Sequence, residues 1–470
     1  MKLQRVTPPR AIEQLAEALR EPFGPRLLST ASGLAPYGES EGHHRTRAPD
    51  LVVRPTSTAE VQQLVGLAAR FGVPVVPWGA GTSLEGNAAA VNGGLMIDLS
   101  AMNRVLEIRP EDMLCVVEPG VTREQLNADL RDTGLFFPID PGANATLSGM
   151  ISTRASGTNA VRYGTMRENT LALKVVLPDG SLVRTGSRAR KSSAGYDLTH
   201  LFVGSEGTLG IVVEATVRLH GVPETVLAGV WPFDTLEGAV ETVIAVIQMG
   251  VPVARIELLD PAALRACNAF SGLAMAEQPT LFLELHGSAG AVAEQLELVR
   301  QVGAEQGGGE IVQAIEPEAR ARLWKARHNA LPAARASCPG SVVWVTDVCV
   351  PISHLADSIR RVQAAVEQAG LFAPILGHVG DGNFHVFFVL PPEDEAAWRQ
   401  AHLINDAMVE HALAVGGTCT GEHGIGLGKR EALLREHGPE ALALMQSLKQ
   451  AIDPQGLLNP GKLFPDAPPG

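Results

Sequence analysis

The chain has 470 residues, 45% of them hydrophobic and 19% charged, with a formal net charge of −13. That length and composition suit a globular protein of two or three domains, each able to bury a core. The acidic balance argues against a nucleic-acid binder, which would carry a basic face, and no uninterrupted apolar run of about 18 residues predicts a transmembrane helix.

The N-terminal Met1–Arg5 lacks the apolar core of a secretory signal. Ala11 to Arg20 reads as an amphipathic helix. From Pro49 to about Gly221 strands and helices alternate. Leu51–Val53 is a strand, and Ser57-Thr58-Ala59-Glu60 has the spacing of a capping box opening a helix through Arg70. Val73 to Trp78 is a strand that runs into Gly79-Ala80-Gly81-Thr82-Ser83-Leu84-Glu85-Gly86. A loop rich in Gly and small hydroxyl residues exposes backbone N–H groups to a phosphate, although a plain surface loop has the same composition. It is no Walker loop, because no Gly-Lys-Ser/Thr follows, and no G-x-G-x-x-G opening a helix. Met113–Glu118 is a strand, and Thr122-Arg123-Glu124-Gln125 caps a helix to Gly134. The run Pro141 to Asn159 is too polar and Gly-rich for core and too long for a turn; small side chains in sequence let backbone pack against a flat ligand. Arg162-Tyr163-Gly164 closes it. Leu171–Leu177 is a strand ending in the Pro178-Asp179-Gly180 turn. Leu201 to Val212 has an apolar entry, a Gly-rich loop and a return into strand.

Past Val222 the pattern changes. Strands are expected near 227–231, 253–258, 280–286, 310–314 and 341–348, and helices near 236–249, 292–306, 317–336 and 353–368. This reads as an antiparallel sheet with helices on one face. Arg327, in the helix around Leu323–Ala330, is either a carboxylate-binding guanidinium or an ordinary surface arginine. Ala373–His378 and Asn383–Leu390 read as two strands around Asp381-Gly382, a pair suited to a two-residue hairpin turn. That turn sets Gly380 opposite Asn383, Val379 opposite Phe384 and His378 opposite His385, and the hairpin ends the sheet. Two imidazoles on one face suit a divalent ion, and Gly421-Glu422-His423-Gly424 offers a third ligand; a lone strand histidine would instead be structural. Asn383 either supports that site or stabilises the turn. Trp398–Val415 is a helix, after which the last fifty or so residues return to the first domain. The five cysteines, Cys115, Cys267, Cys338, Cys349 and Cys419, form no CxxC. They fit free thiols in a reducing compartment, so a cytoplasmic location is expected, with peripheral contact at a membrane left open.

Taken together, Pro77–Ser83, Pro141-Gly142 through Tyr163-Gly164, Gly204–Gly210, Gly377–His385, Gly421–Gly424 and Asn459-Pro460-Gly461-Lys462 make the sequence resemble the flavin-linked 2-hydroxy-acid dehydrogenases of the vanillyl-alcohol oxidase type. The matching stretches occur in the family's order over nearly the whole chain. The resemblance implies an α+β protein: a two-part FAD-binding domain of vanillyl-alcohol oxidase type over 1–221, a substrate- and metal-binding cap with an antiparallel sheet over 222–415, and a C-terminal segment, 416–470, completing the active site. It implies FAD, its diphosphate at Pro77, Gly79, Ala80, Gly81, Thr82 and Ser83. The rest of the cofactor would be lined by Pro141, Gly142, Thr146, Gly149, Ser152, Thr153, Gly157, Thr158, Tyr163 and Gly164, and by Glu206, Gly207, Gly210, Ile211 and Asn459. It implies Zn²⁺ or Mn²⁺ on His378, His385 and Glu422, a substrate carboxylate on Arg327, His423 as general base, and Asn383 beside the substrate. The Trp-x-x-Arg pattern at Trp324–Arg327, ahead of Asp347-Val348-Cys349-Val350-Pro351, carries the Arg327 role.

The branch acting on 2-hydroxyglutarate usually has Lys and Asn where this chain has Val345 and Phe387, and the runs Arg327–Ala330 and Thr346–Ser353 resemble the D-lactate dehydrogenase branch most closely. A monocarboxylic D-2-hydroxy acid with a small or apolar tail is expected as substrate, and a quinone, a cytochrome or an electron-transferring flavoprotein as electron acceptor. The alternatives are a glycolate or D-2-hydroxyglutarate dehydrogenase, a non-redox FAD-dependent ether-lipid synthase, and an FAD-binding subunit that needs partners. His43-His44 raises covalent flavin attachment, though the branch it most resembles holds FAD non-covalently.

Overall fold

The structure, a computed structural model, describes residues 7–44 and 46–465, so the reading of Met1–Arg5 lies outside the described residues. The chain forms two compact units. The first takes Met1–Ser156, Gly164–Gly221 and Glu422–Gly470; the second takes Gly157–Tyr163 and Val222–Gly421.

Among the described residues the first unit holds two larger sheets, besides a two-stranded pairing of Leu135–Phe136 with His220–Gly221. One has four strands in the order Leu27–Leu28, Leu51–Val53, Leu95–Asp98, Val75–Trp78, the last three parallel. Parallel neighbours need a crossover, and the helix Thr58–Phe71 supplies one, burying Val61, Leu64, Val65 and Ala68. Ser57 caps it, its hydroxyl accepting from Glu60 N at 3.3 Å. The capping box is incomplete, because Glu60 turns away to Thr56 N (2.7 Å) and to both terminal nitrogens of Arg26 (2.6 and 2.8 Å). A bidentate guanidinium is the stronger partner. The N-terminal helix runs Pro9–Phe23, longer than the sequence pattern indicates, and places Ile12, Leu15, Leu19 and Phe23 inside.

The second sheet is antiparallel, in the order Val105–Arg109, Leu114–Val117, Ile211–Arg218, Thr170–Val176, Leu182–Gly186. Its core includes Val117, Leu173, Val175, Ala215 and Val217, and also Leu147, Met150 and Ile151. These last three correct the reading of 141–159 as outside the core. Thr146 caps a helix, Leu147–Thr153, by accepting from Gly149 N at 3.4 Å. The apolar spacing 147, 150, 151 is one helical face, diluted in the sequence by Gly and Ser.

The second unit is built on an antiparallel sheet in the order Val312–Ala314, Thr225–Pro232, Thr280–Gly287, Val253–Leu259, Ile375–Gly377, Asn383–Leu390, Val342–Val345, with Val348–Cys349 also pairing onto Asn383–Leu390. The hairpin therefore does not end the sheet: Val342–Val345 is the edge. Helices cover both faces rather than one. Val230 packs with Trp324 and Ala326 of the helix Pro317–His328, while the ring of Trp231, pointing the other way along the strand, lies on Gly303 of the helix Ala289–Glu305. Two-sided cover explains why Leu281–Leu283 and Leu227–Trp231 are apolar without alternation. The expected 317–336 helix is two, Pro317–His328 and Ala330–Ser337, parted at Asn329. The helix Pro261–Ser271 escaped the sequence reading, although Asp260-Pro261 is a start signal: Asp260 accepts from Ala263 N at 2.8 Å.

Burial pushes the Asp260 carboxyl up to about 6 in spite of that bond. A carboxyl that holds its proton more tightly folded than unfolded loses stability as pH rises from 3.8 to about 6. Asp260→Asn keeps a capping oxygen and removes the buried charge. Denaturant unfolding of both proteins at pH 4 and pH 7.5 is expected to shift in favour of the variant by roughly 2–3 kcal/mol between the two conditions; a pH-independent difference contradicts the buried-charge reading.

Candidate functional site

In the hairpin Leu376 stands opposite His385 and Ile375 opposite Val386. The pairing is displaced from the expected one, so His378, Val379 and Gly380 do not face His385, Phe384 and Asn383. The physical reason is the turn. A two-residue type I′ turn needs positive φ at both central residues, but of Asp381 and Gly382 only Gly382 has it (φ 77°). The loop is instead Val379–Gly382, closed by Asp381 N and Asn383 N donating to His378 O at 3.0 and 3.3 Å. Gly382 also packs so tightly on Val350 O that no side chain fits there. The slip is by two residues, which preserves the face. The rings of His378 and His385 still meet, centroids 5.4 Å apart at 84°.

Each imidazole is oriented through Nδ1. His385 Nδ1 donates to Thr346 O at 2.9 Å. His378 Nδ1 lies 2.6 Å from Glu257 Oε1. Burial opposes ionisation of Glu257, yet His378 and Arg327 outweigh it and hold the carboxyl below its ordinary range. It is therefore an acceptor, and Nδ1 of His378 carries the proton. Both rings are left with Nε2 as the lone-pair nitrogen, the form in which imidazole ligates a metal with a carbonyl or carboxylate behind it.

Glu257 is the one acid in the strand Val253–Leu259, and no local motif marks it. Its second oxygen accepts from Arg327 Nε at 2.8 Å. Arg327 is thus no ordinary surface residue: its side chain is 14% exposed, and among the described residues Nη1 and Nη2 have no hydrogen-bond partner. Asn383 donates through Nδ2 to Asp347 Oδ1 and to Val348 O, both at 2.7 Å, and Thr420 Oγ1 donates to the other Asp347 oxygen at 2.7 Å. Asp347 Oδ1 in turn lies 3.8 Å from His385 Nδ1. Asn383 therefore braces the histidine from behind through Asp347. Gly421 packs directly on Asn383 and Asp347.

In the first unit the Gly-rich stretches converge. Pro77 ends its strand, Gly79 packs on the Thr146 hydroxyl, and Gly207 (φ 69°) packs on the Pro77 ring, neither with room for a Cβ. The loop beyond is open, with Gly79, Gly81, Thr82 and Ser83 half-buried and Ala80 exposed. Among the described residues the N–H groups of Ala80 to Leu84 donate to no protein acceptor. Ser152 O accepts from Glu206 N at 2.8 Å, Thr153 Oγ1 donates to Gly149 O at 3.2 Å, Pro141 is half-buried and Gly142 exposed. Gly210 and Ile211 lie buried at the start of the strand Ile211–Arg218, and Gly164 (φ 76°) sits against Glu168. Gly157, Thr158 and Tyr163 fold with the second unit.

The Glu206 and Asn459 side chains are turned onto the protein. The buried Glu206 carboxylate accepts from Ile425 N (2.7 Å), Gly426 N (2.9 Å) and Asn87 Nδ2 (2.7 Å). Asn459 Nδ2 donates to Asn87 O and Glu206 O, each at 2.7 Å, and Lys462 Nζ donates to Ala89 O at 2.6 Å. Burial pushes Glu206 up and Lys462 down, the latter to about 7. These bonds lock the loop that carries Glu422 and His423, side chains 13% and 11% exposed. Behind the same loop, Glu85 sits between His44 Nε2 (3.2 Å) and Lys429 Nζ (3.5 Å), which occupies the ring of His44.

Residues 49–186 match the family model of an FAD binding domain, and residues 222–463 that of the C-terminal domain of FAD linked oxidases. The probable mitochondrial D-lactate dehydrogenase of Danio rerio is 48% identical over 458 residues, 97% of this chain and 92% of that protein. The mitochondrial D-lactate dehydrogenase (cytochrome) of Arabidopsis thaliana is 46% identical over 423 residues, 90% of this chain and 75% of that one. Among solved structures, p-cresol methylhydroxylase with substrate bound has a TM-score of 0.81 over 98% of both chains at 19% identity, a likeness of fold.

Asn459→Ala leaves two buried carbonyls without their donor. It is expected to lower stability by about 1–3 kcal/mol, read by denaturant unfolding. An unchanged midpoint contradicts the bracing role given to Asn459.

Proposed function

The chain belongs to the FAD-linked oxidases, and from that premise we propose that it oxidises D-lactate, or a similar D-2-hydroxy monocarboxylic acid, to the 2-oxo acid. The observation that carries the reading is Glu257, one buried carboxylate gripping Arg327 through Nε and His378 through Nδ1. Arg327 then presents Nη1 and Nη2 as a fixed pair of parallel donors for the substrate carboxylate. Val345 and Phe387 stand opposite each other across the strands, on the face that carries His385. Beside them a second carboxylate would lie buried without a partner, at considerable cost, whereas a methyl group is accommodated.

His378 and His385 would bind a divalent cation, Zn²⁺ or Mn²⁺, through Nε2, with the Glu422 carboxylate as third ligand. Gly421 packs on Asn383 and Asp347, and the next Cα follows within about 3.8 Å, which supports that choice. Such a cation, when bound, supplies Lewis acidity that lowers the pKa of the substrate hydroxyl. His423 takes the hydroxyl proton as general base. The N–H groups of Ala80 to Leu84 would hold the FAD diphosphate. FAD, when bound, supplies the acceptor for the hydride leaving Cα. Electrons then pass to a quinone, a cytochrome or an electron-transferring flavoprotein. No helix among the described residues is long and apolar enough to cross a membrane, and none of the five cysteines is in a disulfide; unbridged thiols suit a reducing compartment, the cytoplasm in our reading.

Steady-state rates on D-lactate, D-2-hydroxybutyrate, glycolate and D-2-hydroxyglutarate test the specificity. The highest kcat/KM is expected with D-lactate or D-2-hydroxybutyrate; a dominant rate on D-2-hydroxyglutarate contradicts the reading of Val345 and Phe387. Arg327→Ala should lower kcat/KM for D-lactate roughly a hundredfold. An unchanged kcat/KM would remove Arg327 from the substrate site.

A further inference from the structure

A second polar network lies on the sheet of the second unit. The Tyr163 hydroxyl is 2.8 Å from His286 Nδ1, and His286 Nε2 is 3.2 Å from Glu284 Oε2. His286 and Glu284 are both 6% exposed, two residues apart on Thr280–Gly287 and hence on one face. Arg255 stands opposite Glu284, with Nε 3.5 Å from Oε2, and donates to Asn159 Oδ1 at 2.9 Å. Arg162 donates to His286 O at 3.0 Å and to Pro252 O at 2.6 Å, its guanidinium 5.5 Å from the centre of the Tyr163 ring. The short segment Gly157–Tyr163 is thereby fastened to the sheet through Asn159, Arg162 and Tyr163.

The direction of these bonds follows from chemistry. Burial resists ionisation of Glu284, but the His286 bond and the Arg255 charge outweigh it, and the carboxyl lies below its ordinary range. An ionised carboxylate only accepts. In the neutral ring His286 Nε2 therefore carries the proton, Nδ1 holds the lone pair, and the Tyr163 hydroxyl must donate to it. A hydroxyl has one proton, so every other hydrogen bond made by that oxygen is one it accepts.

We propose that His286 and Glu284 are positioning residues that fix the Tyr163 hydroxyl as a hydrogen-bond acceptor for an N–H or O–H group of the flavin. This rests on the reading of Tyr163 as a cofactor contact. The test is FAD titration of the full-length apoprotein, with the flavin midpoint potential measured on the reconstituted protein. The variants are Tyr163→Phe, His286→Leu, their double, Glu284→Leu and Glu284→Gln. Tyr163→Phe and His286→Leu are each expected to weaken FAD binding about three- to tenfold. The double variant should bind no more weakly than Tyr163→Phe alone, because His286 acts through the tyrosine. Glu284→Gln, whose amide oxygen still accepts from His286, should bind close to wild type, and Glu284→Leu should match His286→Leu. If His286→Leu does not fold, the two Glu284 variants carry the same comparison. Equal further weakening by His286→Leu in the Tyr163→Phe background would overturn the positioning role, as would wild-type binding by His286→Leu and Glu284→Leu while Tyr163→Phe is weakened. If Tyr163→Phe changes neither affinity nor potential, the failure lies in the reading of Tyr163 as a flavin contact.

Discussion

Glu257 is fully buried, and an ionised carboxylate so placed persists only when opposite charge and hydrogen bonds replace the lost hydration. Its two oxygens are divided between His378 and Arg327. Removing either partner would leave a buried charge half compensated, so the guanidinium and the imidazole are energetically one assembly. Arg327 lies 70 residues and His378 121 residues from Glu257 in sequence. One carboxylate therefore sets the position of a helix residue and a hairpin residue together, and it fixes the tautomer on which any metal-binding role of His378 depends.

The first unit uses the same device. Glu206 collects two backbone N–H groups and the amide of Asn87, and Asn459 ties that carboxylate's own backbone to the Asn87 loop. No disulfide is involved: none of the five cysteines, all among the described residues, is bridged. Buried acids take the place of covalent staples: they pin loops too rich in Gly and Ser to hold shape by packing of their own side chains.

Most strands and helices were legible in the sequence, because alternation, caps and Gly stops are local signals. The paired imidazoles were legible in spite of a wrong register, since a slip of two residues keeps a side chain on its face. What was not legible depends on partners distant in sequence. Glu257 in an apolar strand carries no local mark of its role. Asn383 was read as supporting the site or stabilising the turn, but the partner it uses, Asp347 behind His385, lies 36 residues away. The helix Leu147–Thr153 was hidden by small residues that dilute its apolar face, and cover on both faces of the second sheet could not be read from single strands. Family motifs pick these loops out in sequence but do not say which side chains turn inward, as Glu206 and Asn459 do.

In the proposed function, one chain brings a flavin and a D-2-hydroxy acid together, the acid held at Arg327, His378 and His385. The most direct measurement is anaerobic mixing of the purified FAD-loaded protein with D-lactate and, separately, L-lactate, following flavin absorbance, with chelator-treated and metal-restored samples alongside. Bleaching by D-lactate alone, lost on chelation and regained with Zn²⁺ or Mn²⁺, is the expected result. Full bleaching after chelation would contradict the metal role of the histidines, and no bleaching by any 2-hydroxy acid would contradict the dehydrogenase itself.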